Sequence, residues 1–243
     1  MILGGASYTP LVVMRGDIGA SLMETREVKS KILLAKSILD GENELLKEIL
    51  RKVRNKENNN WNVHLRKSLN RAGMVWDDVQ ELNKENIKKK INQTDTDKWK
   101  AELEKKTTLG LYRKFKKEMK EEAIYDNRYS TKLLFWARSN SLDLNDGPRN
   151  RGEGAREEDK ICTMCGAEKE DVEHFVLRCR NLFYRRDEEL TERLKGENDE
   201  ETLGNLMFKT VGKDLEALKE MLQKLWDTRK TLLSAAEGGE RRN

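Results

Sequence analysis

The chain has 243 residues, with 48 Lys or Arg against 44 Asp or Glu; 38% are charged and 36% hydrophobic. No apolar run approaches the roughly 18 residues that cross a bilayer, and two prolines among abundant Lys, Glu and Leu argue against an all-β sandwich. Leu, Ile, Trp and Phe recur at helical spacing, which excludes a disordered chain. What remains is a mainly α, multi-helix, highly solvated protein. Its net charge of +4 supplies no bulk basic field, so any nucleic-acid surface must come from local sorting of charge.

The opening, Ile2 to Gly19, is rich in glycine and contains Pro10, and reads as irregular structure. Val28, Ile32, Ala35 and Leu39 then predict a helix stopping at Gly41, and Leu45, Ile49 and Val53 predict a second. Trp61, Leu65 and Leu69 predict a third, ending at Ala72-Gly73. Asp77 is expected to cap a short turn, and Asn83 the helix of Ile87 and Ile91. Thr94 or Thr96 should open a further helix with Trp99 and Leu103; Leu111, Phe115 and Met119 mark another, and Leu133 to Ala137 a buried one. Asn140 to Asp159 carries the clearest linker composition. The leucine ladder from Leu215 to Leu232 lasts under three heptads and places Arg229 at a would-be core position, so it should pack on the chain's own core.

All three cysteines fall in one window, ICTMCGAEKEDVEHFVLRCR, as Cys162-x2-Cys165-x8-His174-x4-Cys179. Two cysteines separated by two residues wrap one ion in a tight knuckle, and Gly166 supplies the permissive backbone that frees amide N–H groups to face sulfur. Three thiolates and one imidazole close a tetrahedral zinc site with no open position, the structural kind. The competing reading is a set of ordinary buried thiols and an ordinary histidine. On an ideal helix His174 and Cys179 lie about 140° apart, so the segment must bend or tighten at the site.

Basic residues cluster between Arg51 and Arg71, with Arg54, Arg66 and Lys67 among seven cations against Glu57 alone. Trp61 and His64 are interleaved, which suits phosphate contact with stacking, although a solvated face over a buried Trp61 fits equally. Arg178, Arg180, Arg185 and Arg186 form a second group around the last cysteine; pairing with Asp187, Glu188 and Glu189 competes with phosphate there. Arg113-Lys114-x-Lys116-Lys117 reads as a solvated face. No Gly-rich phosphate loop and no nucleophile elbow is present, and no catalytic residue is assigned. MILGGASYTPLVVM lacks the basic head of a signal peptide, which predicts a reducing, intracellular setting.

The window Cys162, Cys165, Gly166, then His174-Phe175-Val176-Leu177-Arg178-Cys179 resembles the zinc-binding segment near the C-terminus of non-LTR (LINE-type) retrotransposon reverse transcriptases. Ile2 to Pro10, Arg15-Gly16-Asp17-Ile18-Gly19, Trp99, Leu109, Tyr112 and the run Leu133 to Leu142 look like that family's region after the polymerase. The polymerase Asp-Asp turn and a Pro-Asp nuclease motif are absent; Asp77-Asp78 follows Val75-Trp76 instead. The resemblance implies one structural zinc ion, RNA or DNA as partner, reverse transcriptase domains in cis, a nuclear or cytoplasmic location, and no synthesis by this chain alone. It implies no membrane or small-molecule partner. The expected organisation is a helical region at 1–145, a linker at 146–159, a zinc module at 160–195, C-terminal helices at 196–236 and a frayed tail at 237–243. The alternative function is a zinc-stabilised protein-docking module, its terminal leucine helix meeting a partner, or an inactive element remnant.

Overall fold

A computed structural model describes residues 9–56, 58–147, 150 and 156–240, with side chains as far as residue 235. The protein is mainly α, and the described residues form no strand, only two isolated bridges. No described helix is long and apolar enough to cross a membrane. The chain divides into two compact units, Gly19–Glu102 and Met1–Ile18 with Leu103–Asn243. This division ignores the compositional boundaries at 145/146 and 159/160, because the segment that carries the three cysteines shares one apolar core with the helices before and after it.

The unit Gly19–Glu102 holds α2 (Met23–Asp40), α3 (Glu44–Asn55), α4 (Asn60–Arg71), α5 (Trp76–Glu81) and most of α6 (Lys84–Glu104). Val28, Ile32 and Ala35 of α2 meet Leu65 and Leu69 of α4 and Ile87 and Ile91 of α6 in one buried cluster, on the faces that the spacing predicts. Asn43, Asn59 and Asn83 each cap a helix through the side-chain oxygen. Asp77 caps nothing; the Asp78 carboxylate accepts the Val75 N–H at 2.8 Å and α5 begins at Trp76. Nor does a helix open at Thr94 or Thr96. α6 runs through both, because the Thr94 hydroxyl donates to the Lys90 carbonyl at 3.0 Å and so needs no exposed amide of its own.

The other unit holds α1 (Leu11–Ile18), α7 (Gly110–Phe115), α8 (Tyr129–Arg138), α9 (Glu188–Arg193), α10 (Asp199–Lys209) and α11 (Gly212–Glu240). α1 corrects the expected irregular opening, of which residues 2–8 lie outside the described residues. The Pro10 carbonyl accepts the Val13 N–H at 3.0 Å, and proline suits a helix start because it lacks only a donor that would go unused there. α7 stops at Phe115, short of Met119. α11 keeps its backbone helical to Glu240, past the point where fraying was expected; 241–243 lie outside the described residues. Leu218, Leu222 and Leu225 of its ladder are buried against α8 and the metal-binding segment.

α1 carries a buried charge into this unit. Asp17 is fully buried, accepts the Tyr112 hydroxyl at 2.7 Å and that of Tyr125, and pairs with Arg138 at 3.4 Å. Lys116, read from sequence as part of a solvated face, is buried here and pairs with Glu122 and Asp17. Burial alone would raise the Glu122 carboxyl, but Lys116 and Arg138 outweigh it and hold its pKa low. A carboxyl lowered on folding stabilises the folded state above its unfolded pKa, and that contribution disappears as pH falls through the folded value. Glu122→Gln should therefore lower the melting temperature at neutral pH and lose less stability than wild type on acidification. Thermal melts across a pH series check this; parallel curves would remove the network from the account.

Candidate metal centre

The first two ligands come from a knuckle. Cys162 takes a backbone bond to Glu168 (2.8 Å), and Ile161 bridges Lys169. The chain then folds back at Gly166, whose N–H reaches the Cys162 carbonyl at 2.8 Å and whose φ of +65° is the left-handed conformation that glycine adopts without strain. The backbone amide of Cys165 favours the thiolate of Cys162, and that of Asn181 the thiolate of Cys179. Amides thus face sulfur, as the knuckle spacing predicts.

The second pair comes from a helical turn of unusual pitch. Asp171 caps it, accepting the His174 N–H at 2.7 Å. His174–Arg178 then forms a π turn, closed by the Cys179 N–H on the His174 carbonyl at 2.7 Å. At roughly 4.4 residues per turn, in place of 3.6, an i→i+5 pair comes back onto one face. The spacing that looked awkward is resolved by widening the helix, not by tightening it.

The four donor atoms lie within 4.8 Å of one another and all four residues are buried. Cys162 Sγ and Cys179 Sγ are 3.9 Å apart, and Cys165 Sγ and His174 Nε2 3.4 Å. A tetrahedron with metal–sulfur bonds of about 2.3 Å has sulfur–sulfur edges of roughly 3.8 Å, so the cluster fits one ion and leaves no open position. Glu168 Oε2 stands 3.4 Å from His174 Nδ1, the carboxylate partner that fixes a ligating imidazole and its tautomer. As free thiols the sulfurs share protons unequally: the Cys162–Cys179 hydrogen bond and burial push Cys162 up, while the same bond draws Cys179 down against burial.

A buried salt bridge locks this loop to α11. Glu170, 1% exposed, receives Arg229 Nε at 2.8 Å and Nη2 at 2.7 Å and also accepts the Asn145 N–H at 2.9 Å. Asn145 reaches on to the Ile161 carbonyl, so the head of the expected linker is stitched to the metal loop; 148–149 and 151–155 lie outside the described residues. The arginine that looked out of place in the leucine ladder is thus the partner of a buried acid, and Trp226 beside it meets Phe175 edge to face at 5.9 Å. Sequence reasoning missed this pair because 59 residues separate its members.

The predicted basic contacts divide. Arg178 is neutralised by Glu168 and Glu173. Arg180 donates to the Cys165 carbonyl at 2.9 Å, and Arg186 to the Val176 and Cys179 carbonyls at 2.7 Å each, so both brace the metal loop. Arg185 is exposed over the Tyr184 ring. In the other unit Arg54 lies over Trp76 at 4.6 Å, and Arg66 and Lys67 are exposed with no carboxylate paired to them among the described residues. Trp61 is half-buried and packs on the core.

Arg229→Met strands a buried carboxylate beside Cys162 and should cost about 3–5 kcal/mol in denaturant unfolding. Pairing it with Glu170→Leu should recover much of the loss, and a double variant as unstable as the single one would count against the coupling. Because ligating thiols must lose protons, metal affinity should also rise with pH, which a chelator competition series measures.

Comparisons with protein-family models, with curated proteins and with solved structures find no match to this chain.

Proposed function

We propose that this chain is a zinc-dependent nucleic-acid-binding module, the C-terminal region of a non-LTR retrotransposon reverse transcriptase whose polymerase lies elsewhere in the polyprotein. The observation that carries the reading is the buried Cys162–Cys165–His174–Cys179 cluster, within the segment that resembles that family. Three thiolates and an imidazole at tetrahedral separations favour Zn2+, and a saturated ligand set gives the ion a structural role. In this reading the chain performs no catalysis and holds RNA or DNA for domains in cis. The excess positive charge supports nucleic acid as the partner: all of the net +4 lies in Gly19–Glu102, which has 18 basic and 14 acidic residues and exposes Arg54, Arg66 and Lys67.

A second reading has its own observation. A groove of about 260 Å3 between Ile38, Leu46, Ile49, Leu50, Val53 and Trp61 leaves Leu46 44% and Ile49 46% exposed. The apolar face of an amphipathic partner helix would fit it. The leucine ladder of α11 offers no such surface, being buried in its own core.

Elemental analysis of protein purified without chelator should find one zinc per chain, lost in Cys162→Ser and His174→Ala. Titration with RNA and DNA over a salt series should give a steep negative slope of log K against log salt. Replacing Arg54, Arg66 and Lys67 together by Gln should flatten that slope by about 2–3. Binding that ignores salt would favour the docking module, and zinc-free protein with three titratable thiols would overturn the metal reading.

A further inference from the structure

The turn after the last ligand is a 3₁₀ helix, Arg180–Arg185, fastened on both sides of an exposed pair. Arg180 and Asn181 donate to the carbonyls of Cys165 and Met164, Leu182 is fully buried, and Arg186 holds the carbonyls of Val176 and Cys179. Between these anchors Phe183 stands 57% and Tyr184 63% exposed, and the Arg185 guanidinium lies 4.9 Å from the Tyr184 ring centroid. Among the described residues neither ring stacks on another aromatic, and the core of the unit holds Leu182 and Leu190 but neither of them. Two large aromatic side chains held in water by a braced backbone point to a ligand with flat apolar faces.

Charge says which kind. Arg180, Arg185 and Arg186 pair with no carboxylate among the described residues. An ion of charge two bound by three thiolates and a neutral imidazole leaves the centre with one negative charge, so these three guanidinium groups exceed it by two. The cleft that Arg185 shares with Arg186, Lys224, Asp187, Glu188 and Glu220 is of mixed sign and adds no net attraction. Bases stack on aromatic faces while phosphates seek guanidinium, and only an unpaired strand has base faces to give.

We propose that Phe183, Tyr184 and Arg185 form a stacking site for single-stranded nucleic acid, positioned by the metal centre. It rests on the nucleic-acid reading given above. Successive residues of a 3₁₀ helix point about 120° apart, so the two rings take separate bases, and Arg185 meets the phosphate between them.

The test is anisotropy of a fluorescein-labelled oligouridylate, and of the same backbone without bases, on the metal-loaded full chain. Tyr184→Ala should weaken oligouridylate binding roughly tenfold or more, Tyr184→Phe should restore it, and the salt slope should stay unchanged. On the abasic strand, wild type and Tyr184→Ala should bind alike. Both substitutions are at the surface, and equal metal content and melting temperature verify the fold. Oligouridylate binding that Tyr184→Ala and Phe183→Ala leave intact overturns the stacking site alone, as does a loss that persists on the abasic strand or an equal preference for duplex. Absence of any binding by wild type overturns the nucleic-acid reading and the stacking site with it.

Discussion

Two side chains five positions apart on an ordinary α-helix look about 140° apart, which sets them against sharing one ion. The π turn at His174–Arg178 removes that obstacle with a single i→i+5 hydrogen bond. Other features of this segment are joined to it. Where the turn ends, Arg186 takes the carbonyls of Val176 and Cys179. The turn also sets Phe175 and Val176 inward, where they join α8 and α11 in the main core of the unit. Donor alignment, carbonyl bracing and core formation are therefore one conformational choice.

The polar interior of this unit is costly to build, and several of its buried charges are set against partners. Glu170 faces Arg229, Asp17 faces Arg138 with two tyrosine hydroxyls, and Lys116 faces Glu122. Burying such groups rarely adds net stability over an apolar core, but each one penalises any packing that separates the partners. That logic explains why a chain with so little apolar content still specifies one arrangement around Cys162 and Cys179: the charged pairs select the register, and the leucines of α11 supply the attraction.

The sequence made the helical periodicity of α2, α4, α8 and α11 legible, because each buries a stripe that repeats at three and four residues; α3 was legible as a helix, but of its apolar positions only Leu50 is buried, and Leu45 and Ile49 are exposed. The ligand set was legible too, because a knuckle needs only local spacing. Three things were not. α1 hides behind glycines and Pro10, although its buried Asp17 marks it as part of the interior. The Thr94 hydroxyl can cap a helix or bond back inside one, and only the packing of Ile87, Ile91 and Trp99 decides between them. Finally, Arg180 and Arg186 look in sequence like phosphate contacts because charge is visible there, whereas the carbonyls that they hold are not.

The Glu170–Arg229 bridge has a consequence for synthesis. The acid leaves the ribosome 59 residues before its partner, which at roughly 5–20 residues per second is a delay of about 3–12 s. Over that interval the knuckle can already gather an ion, since its own contacts are local, while Glu170 keeps its hydration and the loop has no lid. The four clustered ligands are thus all made before α11, and α11 is the element that takes Glu170 and the cluster out of water.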